Sequence, residues 1–339
     1  MNANIQALLA THLGSSQAAD LLSLMHISPK FRLWEAGRVS RAELAQALNM
    51  VLFAGILDRV PTGKAYTDDV SRQGGKVMFD HGALRTVRWF GIGQLPPGEA
   101  AFTRILKPLG FRLNGIFPLD KLGMTGRSYA HIDDAEQISQ FFVSELHPER
   151  FSKPFQQAVT NVLGSSIDPL TPQAVSLLNE LDRDGHLPLD LAQDLLPVLV
   201  ACFGRQHEVP SLDDYDVLLK ESAEMAWIAT EGNVFNHATD RVADVFALSD
   251  AQKALGRPMK PSVEVSGSGR VRQTAFKADT VLRQFRNPAG TLVEREVPGS
   301  FYEFITRDTH VVAGKTVLDL NFDTGNAQGI FKMTANAPV

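Results

Sequence analysis

The chain has 339 residues, 44% of them hydrophobic and 21% charged, with a formal net charge of −5. This composition fits a globular protein with a well-buried core. It argues against a broad nucleic-acid surface, while a local basic pocket for a small dianion stays open. No apolar run approaches the ~20 residues that span a bilayer, and the first residues lack the basic and apolar segments of a signal peptide, so a cytoplasmic protein is expected.

Residues 1–60 read as a helical region. Ile5, Leu8, Leu9 and Leu13 recur at helical spacing, as do Leu44, Leu48, Val51, Leu52 and Ile56. Pro61-Thr62-Gly63-Lys64 is expected to end it. Residues 61–150 read as a first β-containing module. Val77, Phe79, His81, Ala83, Arg85 and Val87 fall on one face of a strand. A helix over 99–109 follows, then extended segments at 112–119 and 126–132, and a helix over 134–146 with an acidic first turn. Residues 151–228 read as a helical insertion with pieces at 155–163, 172–181, 189–203 and 213–226. Residues 229–339 read as a second β-containing module. It has an extended segment at 232–242, a helix at 248–255, strands at 270–278, 280–286, 291–297 and 301–307, and further β-like sequence at 311–320. The fold class is α+β, with two related βαβββ-type modules and 61–339 forming one catalytic unit. Cys202, the sole cysteine, lies in an apolar run and reads as an inert core thiol.

A short motif occurs twice. Asp80-His81-Gly82-Ala83-Leu84-Arg85 and Asn236-His237-Ala238-Thr239-Asp240-Arg241 each place an Asx, a His, three residues and an Arg. A third segment, Phe301-Tyr302-Glu303-Phe304-Ile305-Thr306-Arg307, sets a lone Glu in a strand-like run. Two histidines and one carboxylate form the ligand set of a non-haem ferrous site with open positions. On a strand His81 and Arg85 share a face, about 13 Å apart at Cα, so a metal and a guanidinium can bracket a small molecule. From spacing alone, hydrogen-bonded core histidines and a Glu303 paired with Arg307 or Arg295 remain open readings. Ser128-Tyr129-Ala130 lines up loosely with Phe301-Tyr302-Glu303, which would put Ala130 where the second copy has its ligand. His131 is the other ligand candidate. His12, His26, His147, His186, His207 and His310 read as surface or helix-end residues. Pro61-Thr62-Gly63-Lys64-Ala65 lacks the residues of a phosphate loop.

The segments around His81, Thr125-Gly126-Arg127-Ser128-Tyr129, Asn236-His237 and Phe301–Arg307 resemble the signatures of the 2-oxoadipate dioxygenase/decarboxylase family, also called the 2-hydroxyglutarate synthase family. That family is related to the vicinal-oxygen-chelate fold of glyoxalases and extradiol dioxygenases. The resemblance runs from about residue 60 to the C-terminus. It implies an Fe(II) centre held by His81, His237 and Glu303, with His81, Arg85 and His237 bordering the substrate and Arg85 taking its distal carboxylate. It implies oxidation of a 2-oxo dicarboxylate by O2, giving 2-hydroxyglutarate and CO2 from 2-oxoadipate. It also places a pocket-shaping residue near 325–331. The same ligands suit zinc, nickel or manganese, so a glyoxalase-like isomerase or hydrolase and a non-catalytic small-acid binder stay open as alternatives. No nucleic-acid or membrane partner is expected.

Overall fold

The structure is a computed structural model that describes residues 2–33 and 35–323. Eight strands build the central sheet: β1 (Phe79–Val87), β2 (Phe111–Leu119), β3 (Met124–His131), β4 (Gln140–Leu146), β5 (Phe235–Arg241), β6 (Glu264–Val265), β7 (Val271–Ala275) and β8 (Phe301–Arg307). Their spatial order is β2-β3-β4-β1-β5-β8-β7-β6. At the centre β1 runs antiparallel to β5. Outside that pair, β1 is parallel to β4 and β5 is parallel to β8. Each half therefore runs strand, helix, strand, strand, strand, with the last strand returning beside the first. The helices are Ala100–Leu106 in one half and Val245–Ala254 in the other. The α+β class is as expected from the sequence.

One face of the sheet is covered by the N-terminal helices Ala3–Leu13, Ser15–Leu24, Arg41–Arg59 and Pro61–Arg72 and by Pro172–Asp184 and Leu189–Ala201. Helix Arg41–Arg59 is buried along most of its length, and Phe53 packs on Phe79 of β1 at 5.0 Å between ring centroids. Its start is fixed by a capping box: Ser40 Oγ accepts from Glu43 N–H, and Glu43 accepts from the Ser40 backbone. The other face carries the site. Its far end is closed by helices Lys153–Leu163, Leu212–Glu221 and Ala223–Glu231 and by a separate hairpin, Thr280–Arg286 with Leu292–Pro298. No helix among the described residues is long and apolar enough to cross a membrane.

Four sequence expectations need correction. Pro61 begins a helix rather than ending the region, because a missing N–H costs nothing in the first turn. The segment expected as helix 134–146 contains β4, whose Phe-Phe-Val core is buried on both faces between β1 and β3. The acidic residues of its expected first turn instead hold other elements: Asp134 accepts from Ser28, and Glu136 accepts from Leu318 N–H. The expected helix 213–226 breaks at Ser222, whose hydroxyl caps the next helix by accepting from Met225 N–H. His147 and His207 are buried, their Nε2 atoms meeting Thr125 Oγ1 at 2.8 Å and the Ala229 carbonyl at 2.9 Å.

The face assignment along β1 also shifts at one point. Phe79 pairs with Asp240 and His81 with Thr239, so Asp80 is an extra residue in the ladder. This bulge turns Phe79 to the helix side while His81, Ala83, Arg85 and Val87 keep the opposite face. Gly82 sits where a Cβ would lie 2.3 Å from the Phe235 ring, so glycine leaves the room that ring occupies. Cys202 behaves as expected: its thiol is buried, donates to the Val198 carbonyl, and is pushed up to about 11 by burial.

Candidate metal centre

His81, His237 and Glu303 come together from β1, β5 and β8, three strands adjacent in the sheet. The register explains why. Thr239 of β5 lies beside His81 on one side and Glu303 on the other. His237 stands two residues earlier on the same face of β5, one side-chain row along. The ligand atoms of the three residues lie within 4.8 Å of one another. Nε2 of His81 and Nε2 of His237 are each 3.3 Å from Oε2 of Glu303. Ligands held at about 2.1 Å from one cation at right angles stand about 3 Å apart, so the two His–Glu spacings fit a shared metal. The expectation of Glu303 paired with an arginine does not hold: Arg307 goes to Asp80 and Arg295 to Asp216.

The donors are tuned for a cation. All three are buried, at 2%, 5% and 1% exposure for His81, His237 and Glu303. Burial pushes the Glu303 carboxyl up, but His237, His81 and the Thr239 hydroxyl outweigh it and hold the carboxyl below its usual range. Burial pulls His237 down to about 3, which keeps its imidazole neutral. Burial likewise opposes charge on His81, yet Asp80 and Glu303 win and raise it. Oε1 of Glu303 is buried without a hydrogen-bond partner among the described residues. A buried carboxylate with one oxygen unpartnered and the other set between two imidazoles is costly unless a cation completes it, so the residues fit a divalent metal.

The Asx of each repeated motif orients its histidine. Nδ1–H of His81 donates to Oδ1 of Asp80 at 2.9 Å, which aims the Nε2 lone pair at the site. The Asn236 amide nitrogen lies 2.9 Å from Nδ1 of His237. A half-turn of that amide offers its oxygen to Nδ1–H and frees Nε2 in the same way. Thr239 Oγ1 donates to Glu303 Oε2 at 2.5 Å. Asp80 is fully buried and sits between Arg241, at 2.7 Å, and Arg307, at 2.9 Å. Burial pushes its carboxyl up, but these two guanidiniums prevail and hold it well below the carboxylate range. Arg307 also donates to the carbonyls of Asp319 and Asn321 and lies under the Phe322 ring. Phe322 packs edge-on against His81 at 4.8 Å and, with Asp323, lines the cavity beside the three ligands.

The two motif arginines have different surroundings. Arg85 is buried on the His81 face of β1, its guanidinium 4.9 Å from the centre of the Trp227 ring, and burial lowers it to about 10. Arg241 is turned to Asp80 and the Glu136 carbonyl. His131 is not at the site: its Nε2 donates to the Leu109 carbonyl and its Nδ1 accepts from Asp133 N–H. The proposed match of Ala130 to Glu303 is also displaced. Beside the first histidine, β4 pairs Gln140 with His81 and Phe142 with Ala83. Beside the second, β8 pairs Phe301 with His237 and Glu303 with Thr239. Phe142 therefore holds the place that Glu303 holds in the other half. It lines the cavity and leaves that side without a donor. Residues 325–331 lie outside the described residues. Thr239, Phe142 and Phe322 were not singled out by sequence; Asp80 and Asn236 entered only as the Asx that opens each copy of the motif.

The profile of a family described as 2-oxoadipate dioxygenase/decarboxylase matches residues 54–333. A rice (Oryza sativa subsp. japonica) protein named 2-oxoadipate dioxygenase/decarboxylase, chloroplastic/amyloplastic, is 24% identical over 83% of this chain and 76% of its own length. Among solved structures, a glyoxalase-superfamily protein from Ralstonia eutropha JMP134 superposes with a TM-score of 0.92 at 65% identity, covering 96% of this chain and 100% of that one. The hydroxyglutarate synthase of Oryza sativa in complex with 2-oxoadipate shares the fold with a TM-score of 0.67 at 19% identity, covering 92% and 96% of the two chains.

Proposed function

The chain belongs to the 2-oxoadipate dioxygenase/decarboxylase family, and from that premise we propose that it is an iron(II) enzyme of 2-oxo dicarboxylates. Its substrate would be 2-oxoadipate or a close analogue. The carbon balance is 2-oxoadipate plus O2 giving 2-hydroxyglutarate plus CO2. The observation that carries this reading is the convergence of two neutral-capable imidazoles and one carboxylate in a buried cavity with one side lacking a donor. Bound ferrous iron would supply the oxygen chemistry and the coordination of the 2-oxo acid. The protein's own part is to hold and shield. His81, His237 and Glu303 grip the metal, while Asp80, Asn236 and Thr239 fix their orientation. Phe142 and Phe322 keep water from the reacting end. Arg85, charged at neutral pH in a desolvated setting, would take the far carboxylate. We read the two strand-helix-strand-strand-strand halves as modules related by duplication, at 61–150 and 229–339, with 151–228 inserted between them.

The test is anaerobic loading with ferrous iron, followed by O2 and CO2 measurement against a panel of 2-oxo diacids. Equal O2 consumption and CO2 release is expected with at least one diacid. Absence of O2 uptake with every diacid would remove the oxygenase reading. It would favour a metal-dependent isomerase or hydrolase, a second reading prompted by the glyoxalase-superfamily relative. Arg85→Ala is expected to raise KM for the diacid at least tenfold with little effect on a monoacid of equal length, since a charge-assisted bond contributes about 1.5–3 kcal/mol. Equal loss on both acids would refute the clamp. Phe142→Glu is expected to bind Zn(II) about tenfold or more tightly and to lose turnover, because a fourth donor closes the open side. Phe142→Leu is the control. Unchanged affinity in the Glu variant would show that this side does not face the metal.

A further inference from the structure

The register of the sheet gives the cavity a direction. Along β1, His81 is followed on the same face by Ala83 and then Arg85. The parallel neighbour β4 sets Phe142 beside Ala83 and Ser144 beside Arg85. Ala83, Phe142 and Ser144 all line the cavity that holds the ligand atoms. Ala83 is the smallest side chain in that row and stands between His81 and Arg85. Ser144 is 2% exposed, and its hydroxyl opens on the cavity with no hydrogen-bond partner among the described residues. A buried hydroxyl in that position is satisfied by water or by a ligand. Four residues of strand rise put His81 and Arg85 about 13 Å apart at Cα on the same face.

We propose that the substrate lies over Ala83, in a trough from the three ligands to Arg85. Its metal-binding end occupies the side where Phe142 stands in place of a donor, and its far carboxylate accepts a hydrogen bond from Ser144 next to the Arg85 guanidinium. This inference rests on the reading of the protein as an enzyme of 2-oxo dicarboxylates. It adds Ser144 as a specificity-determining donor and Ala83 as the residue that makes room. Arg85 provides charge, which attracts any anion. Ser144 provides direction, which rewards a carboxylate at one distance from the metal.

The experiment is calorimetric titration of 2-oxoadipate, and of 2-oxohexanoate as the monoacid of equal length, into the zinc-loaded full chain. Wild-type protein should bind the diacid more tightly. Ser144→Ala should weaken the diacid about tenfold, the size of a hydrogen bond to a charged group, and leave the monoacid unchanged. Ala83→Leu should abolish binding of both acids while zinc affinity stays at the wild-type value. If Ser144→Ala weakens both acids equally or neither, and Ala83→Leu still binds them, the trough is wrong although the enzyme reading survives. If zinc-loaded wild-type protein binds neither acid, the enzyme reading fails and the trough fails with it.

Discussion

Glu303→Ala should abolish metal binding at the triad. Glu303 is its one negatively charged member, and its Oε2 is the atom on which both imidazoles converge. Loss of an outer partner of a metal ligand already costs roughly 10–100-fold in affinity, so loss of the ligand itself should exceed about 100-fold. The measurement is zinc or cobalt titration of the metal-free protein, with iron retained after gel filtration as a second readout. Turnover should fall with it. Glu303→Gln separates charge from shape: it keeps a partner for Thr239 but removes the charge, and it should bind metal far more weakly than wild type. A Glu303→Ala protein that holds metal at wild-type affinity would dismantle the site. The metal-free variant should still fold, since Thr239 can turn its hydroxyl to His81 Nε2, now 3.1 Å away.

Asp80→Ala should damage stability and metal binding together. The Asp80 carboxylate is fully buried and compensates two guanidiniums, those of Arg241 and Arg307, while also accepting from His81 Nδ1. Breaking a buried pair by removing one partner leaves an uncompensated charge and costs about 3–5 kcal/mol. Urea unfolding of the metal-free protein reads that cost directly. Metal affinity should fall by roughly 10–100-fold, because the histidine loses the acceptor that sets its tautomer. Arg307 also bonds the carbonyls of Asp319 and Asn321, so the segment bearing Phe322 should loosen and become more open to proteolysis. Asp80→Asn keeps the shape and one acceptor oxygen; it should recover part of the metal affinity but little of the stability. An Asp80→Ala protein within 1 kcal/mol of wild type by the same unfolding test, a threshold set by the ~1 kcal/mol of an ordinary hydrogen bond, would show that the two arginines find other partners.

Much of the site was legible in the sequence because its information is chemical and local. Imidazole and carboxylate are metal donors by residue type, and the Asx-His pairs at 80–81 and 236–237 mark the two copies. Period-two alternation also placed Phe301, Glu303, Ile305 and Arg307 on one face of a strand, as found. The errors came where local signals conflict with partners far along the chain. Residues 140–146 carry a helix-compatible composition, yet they are held extended by two neighbouring strands. The match of Ala130 to Glu303 failed because similarity over three residues cannot reveal which strand returns beside which histidine. The role of Phe142 appears only from comparing β1 with β4 and β5 with β8.

The sequence by itself determined the donor set, the α+β class and the face each donor would present, since these depend on side-chain chemistry and on a backbone repeat a few residues long. Only the tertiary structure decided that the three donors meet, that Asp80 serves one histidine and two arginines at once, and that an aromatic ring occupies the fourth corner. Those facts depend on strand order and pairing register between segments from 59 residues apart (Ala83 and Phe142) to 227 apart (Asp80 and Arg307). Such register is set by the burial of whole faces, which no short stretch of chain encodes alone.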